Sequence, residues 1–459
     1  MIRCNYLFFF FPLLSLLTNK LSAQTNGPSD LSSGSRNKSW TTTHSDSSYR
    51  GIRFEQNLNW QEVQNKAKAE NKYVFVDCYA TWCAPCKKMD KDVYPKDSVG
   101  EHMNARFISI KVQMDSSEKD DESIKNMYGT AHILADQYKV NSYPTFLFFS
   151  PEGELVHKGI GAISAEKFIL LATNATLPSQ QYFVLVKSYQ QGKKDYTKMP
   201  YLANAARDLK DDSLSKQIAN DYIHNYLEKI DTNNLLKKEN IQFINSFYTL
   251  IKSKDKIFDL YYHSPQKIDS ICGDKGASKK YIRSIIYNEE MLPLLATGVN
   301  ENRAPDWEKS THAIQKKYER IYADYDLNQA RIRWYSYKKD WKNYAKYLVQ
   351  QIEIQIVEKE LPPAPWAMYY LNNNAFDVFK YSNNKKELEK ALSWFNQELP
   401  NSDKPFAEYV DTKANLLYKL GRKREAVELE GQATALAPDD KEIRANFEKM
   451  KKGLPTWAN

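Results

Sequence analysis

The chain has 459 residues, more than one compact core usually holds, so two or three domains are expected. Apolar residues make up 42% of the sequence and charged residues 27%, a balance that excludes a disordered or fibrous protein. The formal net charge is +8, but both signs are mixed along the chain without long basic runs, which argues against nucleic-acid binding.

Residues 1–23 have the layout of a secretory signal peptide, with an early Arg3, an apolar run over 7–17 and a small-residue end at Ala23. The apolar run is shorter than the roughly 20 residues that a membrane-spanning helix needs. Residues 24–51 are rich in Ser, Thr, Asn and Gly without an apolar period, which indicates a disordered linker. The sequence therefore predicts an exported protein, either periplasmic or secreted.

Strand-like and helix-like patterns alternate between residues 52 and 178. In chain order they predict a strand at 52–55, a helix at 59–72, a strand at 73–80, a helix from about Cys83, a strand at 106–115, a helix at 124–140, strands at 144–150 and 154–161 around a turn, and a helix at 164–177. The runs at 73–80 and 106–115 are typical of central strands covered on both faces, and Ser164 is placed to cap the last helix. This order predicts an α/β fold with a mixed sheet.

After Leu177, Tyr, Leu and Ile recur at three- and four-residue spacing, which predicts an all-α region. We expect a helical domain over 179–365 and tetratricopeptide-like helical repeats over 366–459. One full repeat is predicted over 407–440, with small residues at the helix contacts and a closing proline: Ala414, Leu417, Ala426, Ala433 and Pro438. A second unit over 372–400 is predicted from Ala375, Ala391, Trp394 and Pro400. A generic helical bundle, in which alanines simply allow close packing, is the alternative.

Four cysteines follow the predicted signal peptide, too few for a disulfide scaffold of this length: Cys78, Cys83, Cys86 and Cys272. Cys83 and Cys86 form a C-x-x-C pair at the start of a helix, where exposed N–H groups and the helix dipole favour a thiolate at the first sulfur. A thiolate attacks disulfides, so Cys83 is predicted to be the nucleophile and Cys86 to resolve the mixed disulfide. A zinc half-site is the chemical alternative, but neither Cys272 nor any histidine supplies a second ligand pair at short spacing.

The remaining candidates have no motif around them. Cys78 is expected to be a buried thiol, and Cys272 to lie in a turn of the helical domain. His102, His132 and His157 are expected at the surface.

The segment "VDCYATWCAPCK" at 76–87 resembles the active-site segment of the thioredoxin family. The resemblance covers residues 52–178 and implies a thioredoxin fold and a thiol–disulfide oxidoreductase that needs no metal or cofactor. It implies catalytic roles for four residues: Cys83, Cys86, Asp77 and Lys111. Asp77 would be the buried carboxylate that takes the proton of the second cysteine, and Lys111 would face it. It implies substrate contacts for Trp82, Tyr143, Gly161 and a cis-proline at Pro144.

Residues 86–115 are most similar to exported family members, including the C-terminal domain of the transmembrane disulfide-interchange reductase, in which the helix after the active site breaks and restarts. The resemblance implies disulfide-containing protein substrates and a membrane disulfide reductase as electron donor. Residues 115–133 are longer than in a minimal thioredoxin and are expected to form an acidic loop beside the groove. The alternative function is an interaction or scaffold protein of the cell envelope, in which the helical repeats hold a protein partner and the thioredoxin-like domain is accessory.

Overall fold

The computed structural model describes residues 50–363, 365–397 and 405–457. The predicted signal peptide lies outside the described residues. So do residues 24–49 of the predicted linker and Pro400 of the second predicted repeat unit.

Four strands form one mixed sheet in the order β2-β1-β3-β4. They are β1 Tyr73–Tyr79, β2 Phe107–Gln113, β3 Thr145–Phe149 and β4 Leu155–Ile160. Strand β1 runs parallel to β2 and antiparallel to β3, and β3 is antiparallel to β4. The prediction of an α/β fold with a mixed sheet is confirmed.

Two strand predictions are wrong in detail. Strand β2 was expected at the centre but lies at one edge of this sheet. The prediction rested on its apolar sequence, which reflects burial of both faces of the strand and not the number of strands that pair with it. Residues 52–55 form only an isolated parallel bridge, between Phe54 and Ser109. The chain leaves the sheet directly afterwards, since Asn57 adopts a φ of 59° on the way into the first helix.

Six helices accompany the sheet within the described residues: α1 Trp60–Glu70, α2 Ala84–Asp92, α3 Asp97–Arg106, α4 Glu122–Lys125, α5 Tyr128–Tyr138 and α6 Ala165–Thr176. The break between α2 and α3 is the one that the similarity to exported members implies. Ser164 caps α6 as predicted, accepting the Lys167 N–H at 3.4 Å. The single helix expected over 124–140 is two helices, because a tight turn at Asn126 closes α4.

Side chains of successive strand residues face opposite sides of the sheet and build two apolar layers. The layer under α2, α3 and α6 contains Phe75, Phe146, Phe148, Met89, Met103 and Phe168. The layer under α1 and α5 contains Val74, Val76, Leu147, Val63, Ala67 and Leu134. Because residues of β1 alternate, Asp77 shares the α2 side of the sheet with Phe75.

The described segments after residue 181 are helical, as predicted. The helices are α7 Tyr182–Gln190, α8 Met199–Asp208, α9 Asp212–Tyr222, α10 Thr232–Leu235, α11 Lys238–Ser246, α12 Lys256–His263, α13 Pro265–Cys272, α14 Ala277–Ile286, α15 Leu292–Asn300, α16 Trp307–Lys317, α17 Arg320–Tyr337, α18 Trp341–Val357, α19 Trp366–Tyr381, α20 Lys385–Ser393, α21 Ala407–Lys419, α22 Lys423–Leu436 and α23 Lys441–Lys451. Across the described part of the chain, no helix has both the length and the apolar character to cross a membrane.

Helices α21 and α22 occupy the predicted full repeat. Ala414, Ala426 and Ala433 are fully buried there, as close helix contacts require. The assignment of this region to tetratricopeptide repeats stays a prediction.

The helical part begins directly against the sheet. The backbone N–H of Tyr182, at the start of α7, donates to His157 Nδ1 on β4 at 3.0 Å. His157 is 2% exposed, so the expectation of a surface position is wrong. Its sequence neighbourhood carries no signal of this, because the covering helix comes from further along the chain.

Candidate active site

The two cysteines of the C-x-x-C motif are joined by a disulfide at the start of α2. Cys83 is the N-cap residue of α2, and its Sγ accepts the backbone N–H of Cys86 at 3.1 Å. A sulfur in this position faces the unsatisfied N–H groups and the positive end of the helix dipole, which favours the thiolate once the disulfide is reduced. Both cysteines are almost fully buried, while Trp82, Ala84 and Pro85 around them are exposed.

Two of the predicted substrate-contacting residues, Trp82 and Tyr143, lie beside the cysteines. Tyr143 packs against Cys83 and Cys86, and its peptide bond to Pro144 is cis. The ring of Trp82, which is 69% exposed, stands edge-on to the Tyr143 ring with centroids 5.9 Å apart. The exposed ring of Trp82 and the half-buried ring of Tyr143 offer an apolar surface beside the disulfide on which an extended peptide could rest.

Gly161 directly follows the last residue of β4. Its N–H donates to the Pro144 carbonyl at 2.8 Å, and its φ of 85° lies in the left-handed region that favours glycine. Contacts therefore connect Trp82 with Tyr143 and Pro144 with Gly161, and Tyr143 packs against the cluster that contains the cysteine pair.

The two predicted charged residues face each other across the β1–β2 ladder. Asp77 is 1% exposed, and Lys111 is its register partner on β2. The Lys111 ammonium lies 3.6 Å from Asp77 Oδ2, while Asp77 Oδ1 has no hydrogen-bond partner among the described residues. Burial raises the pKa of Asp77 to about 6, although the Lys111 charge opposes this. A carboxyl group that titrates near neutral pH is suited to exchanging protons.

The surroundings of Lys111 include a residue that sequence reasoning missed. Its ammonium contacts the carboxylate of Asp90 on α2, in addition to Asp77. Asp90 follows Cys86 by four residues, so the i, i+4 spacing on a predicted helix was a signal that could have placed it on the side of the second cysteine.

A second missed residue, Asp115, holds the turn that precedes Cys83. Its carboxylate accepts the Thr81 backbone N–H, at 3.0 and 3.2 Å to its two oxygens, and also the Thr81 hydroxyl. Asp120, in the same acidic stretch, accepts hydrogen bonds from Gln113 and from the Tyr128 hydroxyl. The stretch expected as an acidic loop over 115–133 thus ties the active-site turn to β2 and continues into α4 and α5.

The other two cysteines lie away from this chemistry. Cys78 is a buried thiol, and burial raises its pKa far above neutrality, so it is a poor nucleophile. Cys272 ends α13 instead of lying in a turn, and its Sγ accepts a hydrogen bond from Asn245 at 3.3 Å. Within the described residues, His, Cys, Asp and Glu side chains form no group of three or more that could hold a metal ion.

Comparison with known proteins identifies the part of the chain that carries the site. Residues 60–176 match the family model described as the thioredoxin-like domain. The thioredoxin-like protein slr0233 of Synechocystis sp. is 31% identical over 98 residues, which are 21% of this chain and 76% of that protein. The chain belongs to the thioredoxin-like family.

Two further relatives are matched over smaller shares of their own length. Thioredoxin-1 of Drosophila melanogaster is 32% identical over 80 residues, 17% of this chain and 59% of that protein. The thiol:disulfide interchange protein DsbD of Photorhabdus laumondii subsp. laumondii is 26% identical over 116 residues, 25% of this chain and 18% of that protein. The chain thus spans less than two thirds of the length of these two relatives. At the level of the family, this thioredoxin-like chain is related to thiol–disulfide oxidoreductases.

Proposed function

We propose that this chain is an exported thiol–disulfide oxidoreductase that reduces disulfides in substrate proteins through Cys83 and Cys86. The observation that carries the proposal is the Cys83–Cys86 disulfide at the N-terminus of α2, with Tyr143 packed against the cluster that contains it. Membership of the thioredoxin-like family supports the class of reaction.

In the first step, the Cys83 thiolate of the reduced protein attacks one sulfur of the substrate disulfide. The substrate S–S bond breaks, one substrate sulfur leaves as a thiolate that takes up a proton, and a mixed disulfide joins Cys83 to the substrate. Trp82 and Tyr143 would hold the substrate segment during this step.

In the second step, Asp77 accepts the proton of the Cys86 thiol, and the electron pair of the S–H bond stays on the sulfur. The Cys86 thiolate attacks Cys83 Sγ, the mixed disulfide breaks, and the second substrate thiolate leaves and is protonated. Two electrons have then passed from the dithiol to the substrate, and Cys83 and Cys86 are joined again. Lys111 would stabilise the charge on Asp77 before the proton arrives.

Each turnover requires two electrons and two protons to restore the dithiol. We propose a membrane disulfide reductase as the donor, whose own dithiol would attack the Cys83–Cys86 disulfide by the same exchange in reverse. The similarity to the thiol:disulfide interchange protein DsbD supports exchange with another thiol–disulfide protein.

Reduction of insulin by dithiothreitol, with the chain as catalyst, tests the activity. The wild type should accelerate precipitation of the insulin B chain, and Cys83→Ser should abolish the acceleration. Cys272→Ser is the matched control and should behave as wild type, because Cys272 lies in the helical part. A wild type no faster than Cys83→Ser would refute the proposed activity.

Trapping in cells tests the substrates and the donor. Cys86→Ser removes the resolving sulfur, so mixed disulfides on Cys83 should accumulate and identify the substrate proteins by mass spectrometry. Thiol labelling of the wild type should find Cys83 and Cys86 mostly reduced. A fully oxidised pair that does not depend on any donor would instead indicate an oxidase or isomerase.

The proposal of export depends on the N-terminal sequence. Residues 1–51 fused to alkaline phosphatase should give phosphatase activity, which requires an oxidising compartment. Replacing Leu13 and Leu14 by Arg would interrupt the apolar run and should abolish that activity. Equal activity from both fusions would count against a signal peptide.

We also propose that the helical domain over 179–365 and the tetratricopeptide-like repeats over 366–459 hold a protein partner. Because α7 packs directly on β4 through His157, a partner held by the adjoining helices would stay close to the thioredoxin-like domain. If the chain is inert towards disulfides but its helical half retains a partner in pull-down experiments, the scaffold function is favoured instead.

A further inference from the structure

Lys111 contacts two carboxylates of very different exposure. Its ammonium is in direct contact with Asp90, whose side chain is 42% exposed. The same ammonium lies 3.6 Å from the Oδ2 atom of Asp77, whose side chain is 2% exposed. A separation of 3.6 Å exceeds the length of a hydrogen bond. The Lys111 ammonium therefore interacts more weakly with Asp77 than with Asp90.

Aromatic rings limit where the Lys111 ammonium can move. It lies 4.8 Å from the centroid of the Tyr79 ring and 5.7 Å from those of Phe54 and Tyr94. Rings at these distances attract a cation and occupy the space around it. Because the ammonium is confined, its contact with Asp90 is made at the expense of a hydrogen bond to Asp77.

We propose that Asp90 is a positioning residue that draws the Lys111 ammonium away from Asp77 and so makes the buried acid a stronger base. The inference deepens the proposed function, because in the resolving step Asp77 must take the proton of Cys86 while the electron pair remains on that sulfur. A base whose proton affinity is matched to neutral pH performs this transfer best.

The other titratable groups around Asp77 leave Asp90 as the source of this effect. The titratable groups that interact electrostatically with Asp77 come from β1, from β2, from α2 and from the segment after α2: Cys78, Tyr79, Lys111, Asp90 and Tyr94. Burial raises the pKa values of Cys78, Tyr79 and Tyr94, so these three are neutral at pH 7. Of these described groups, Asp90 is the one that brings a negative charge.

Titration of Asp77 in the oxidised full chain tests the inference. Aspartate labelled with ¹³C at the carboxyl carbon is followed by NMR against pH, and the Asp77 signal is the one lost in Asp77→Asn. Asp90→Asn should lower the Asp77 midpoint by about one pH unit, because one negative charge is removed and Lys111 is released towards Asp77. Asp90→Glu, which keeps the charge, should restore the wild-type midpoint.

Asp92→Asn is the matched control, since Asp92 is an exposed carboxylate on the same helix, and its Asp77 midpoint should equal that of the wild type. An unchanged or raised midpoint in Asp90→Asn, or an equal shift in Asp92→Asn, would overturn the inference. The NMR titration of Asp77 does not require catalytic turnover. If the chain fails to reduce insulin, the proposed function is refuted, but the titration still tests the role of Asp90. In an active chain, the pH profile of turnover in Asp90→Asn should shift in the same direction.

Discussion

The Nδ1 atom of His157 accepts the backbone N–H of Tyr182 at 3.0 Å and thereby joins strand β4 to the first turn of α7. A ring nitrogen that accepts a hydrogen bond cannot carry a proton, so the imidazole must be neutral. Burial lowers the pKa of His157 to about 4. The contact between sheet and helices is therefore sensitive to acid.

The direction of the pH effect follows from proton binding. Between the ordinary histidine pKa of 6.5 and the folded value of about 4, the unfolded chain binds the proton and the folded chain does not. The contribution of His157 to stability is thus complete above pH 6.5 and is lost as the pH falls towards 4, to a total of about 3 kcal/mol.

His157→Asn should therefore flatten the fall of the thermal unfolding midpoint between pH 7 and pH 4, because the amide oxygen can accept the Tyr182 N–H without titrating. His132→Asn, at an exposed position, should keep the wild-type pH dependence. If His157→Asn loses stability with acid as steeply as the wild type and His132→Asn do, protonation of His157 does not control this contact.

Asp77→Asn should stabilise the folded chain at alkaline pH. Because burial raises the pKa of Asp77 from 3.8 to about 6, the folded chain binds the proton more tightly than the unfolded chain between these values, and stability is lost as the pH rises through this window. The neutral amide avoids this loss, which is worth about 3 kcal/mol above pH 7. Thermal unfolding at pH 8 should show the gain and unfolding at pH 3.5 should not.

Asp77→Asn should also lose activity in the pH range in which it gains stability. Without the carboxylate, Cys86 has no buried base, so release of substrate from the mixed disulfide at pH 7 should slow by about 10- to 100-fold. Stopped-flow measurement of the resolving step, with Asp92→Asn as control, checks this. A variant that resolves as fast as the wild type would remove Asp77 from the mechanism.

Trp82→Ala should weaken substrate binding without changing the chemistry of Cys83. Loss of the exposed ring and of its contact with Tyr143 removes about 1 kcal/mol of apolar and aromatic interaction, so kcat/KM for insulin should fall about five-fold. The rate at which iodoacetamide alkylates reduced Cys83 should stay the same. Trp366→Ala, at another exposed tryptophan on α19, is the matched control and should leave both rates unaltered.

Two glycines inside helices should respond to alanine with opposite signs. A Cβ at Gly298 would lie 2.9 Å from the ring of Trp334 and 3.0 Å from the Arg303 carbonyl oxygen, so Gly298→Ala should destabilise the helical part by about 1–3 kcal/mol. A Cβ at Gly129 would meet nothing within 4 Å, so Gly129→Ala should stabilise α5 by about 0.5–1 kcal/mol. The thermal unfolding midpoints of the two variants test this prediction. Equal shifts of the two midpoints would contradict the packing of α15 on α17.

Several features were determined by residues close together in the sequence. The start of α2 at Cys83, the cap of α6 at Ser164 and the alternation of strands and helices depend on hydrogen bonds and periodicity within a few residues. The cysteine pair could be identified for the same reason, because both its spacing and its position at a helix start are local.

Only the tertiary structure decided which distant side chains meet. The family resemblance placed Lys111 opposite Asp77, but the contact between Lys111 and Asp90 joins residues of α2 and β2 that are 21 positions apart. Nothing near His157 in the sequence indicates that α7 will cover it. The edge position of β2 likewise depends on which strands pair. Burial and charge pairing are set by the packing free energy of elements far apart in the chain, and a local pattern contains no information about that sum.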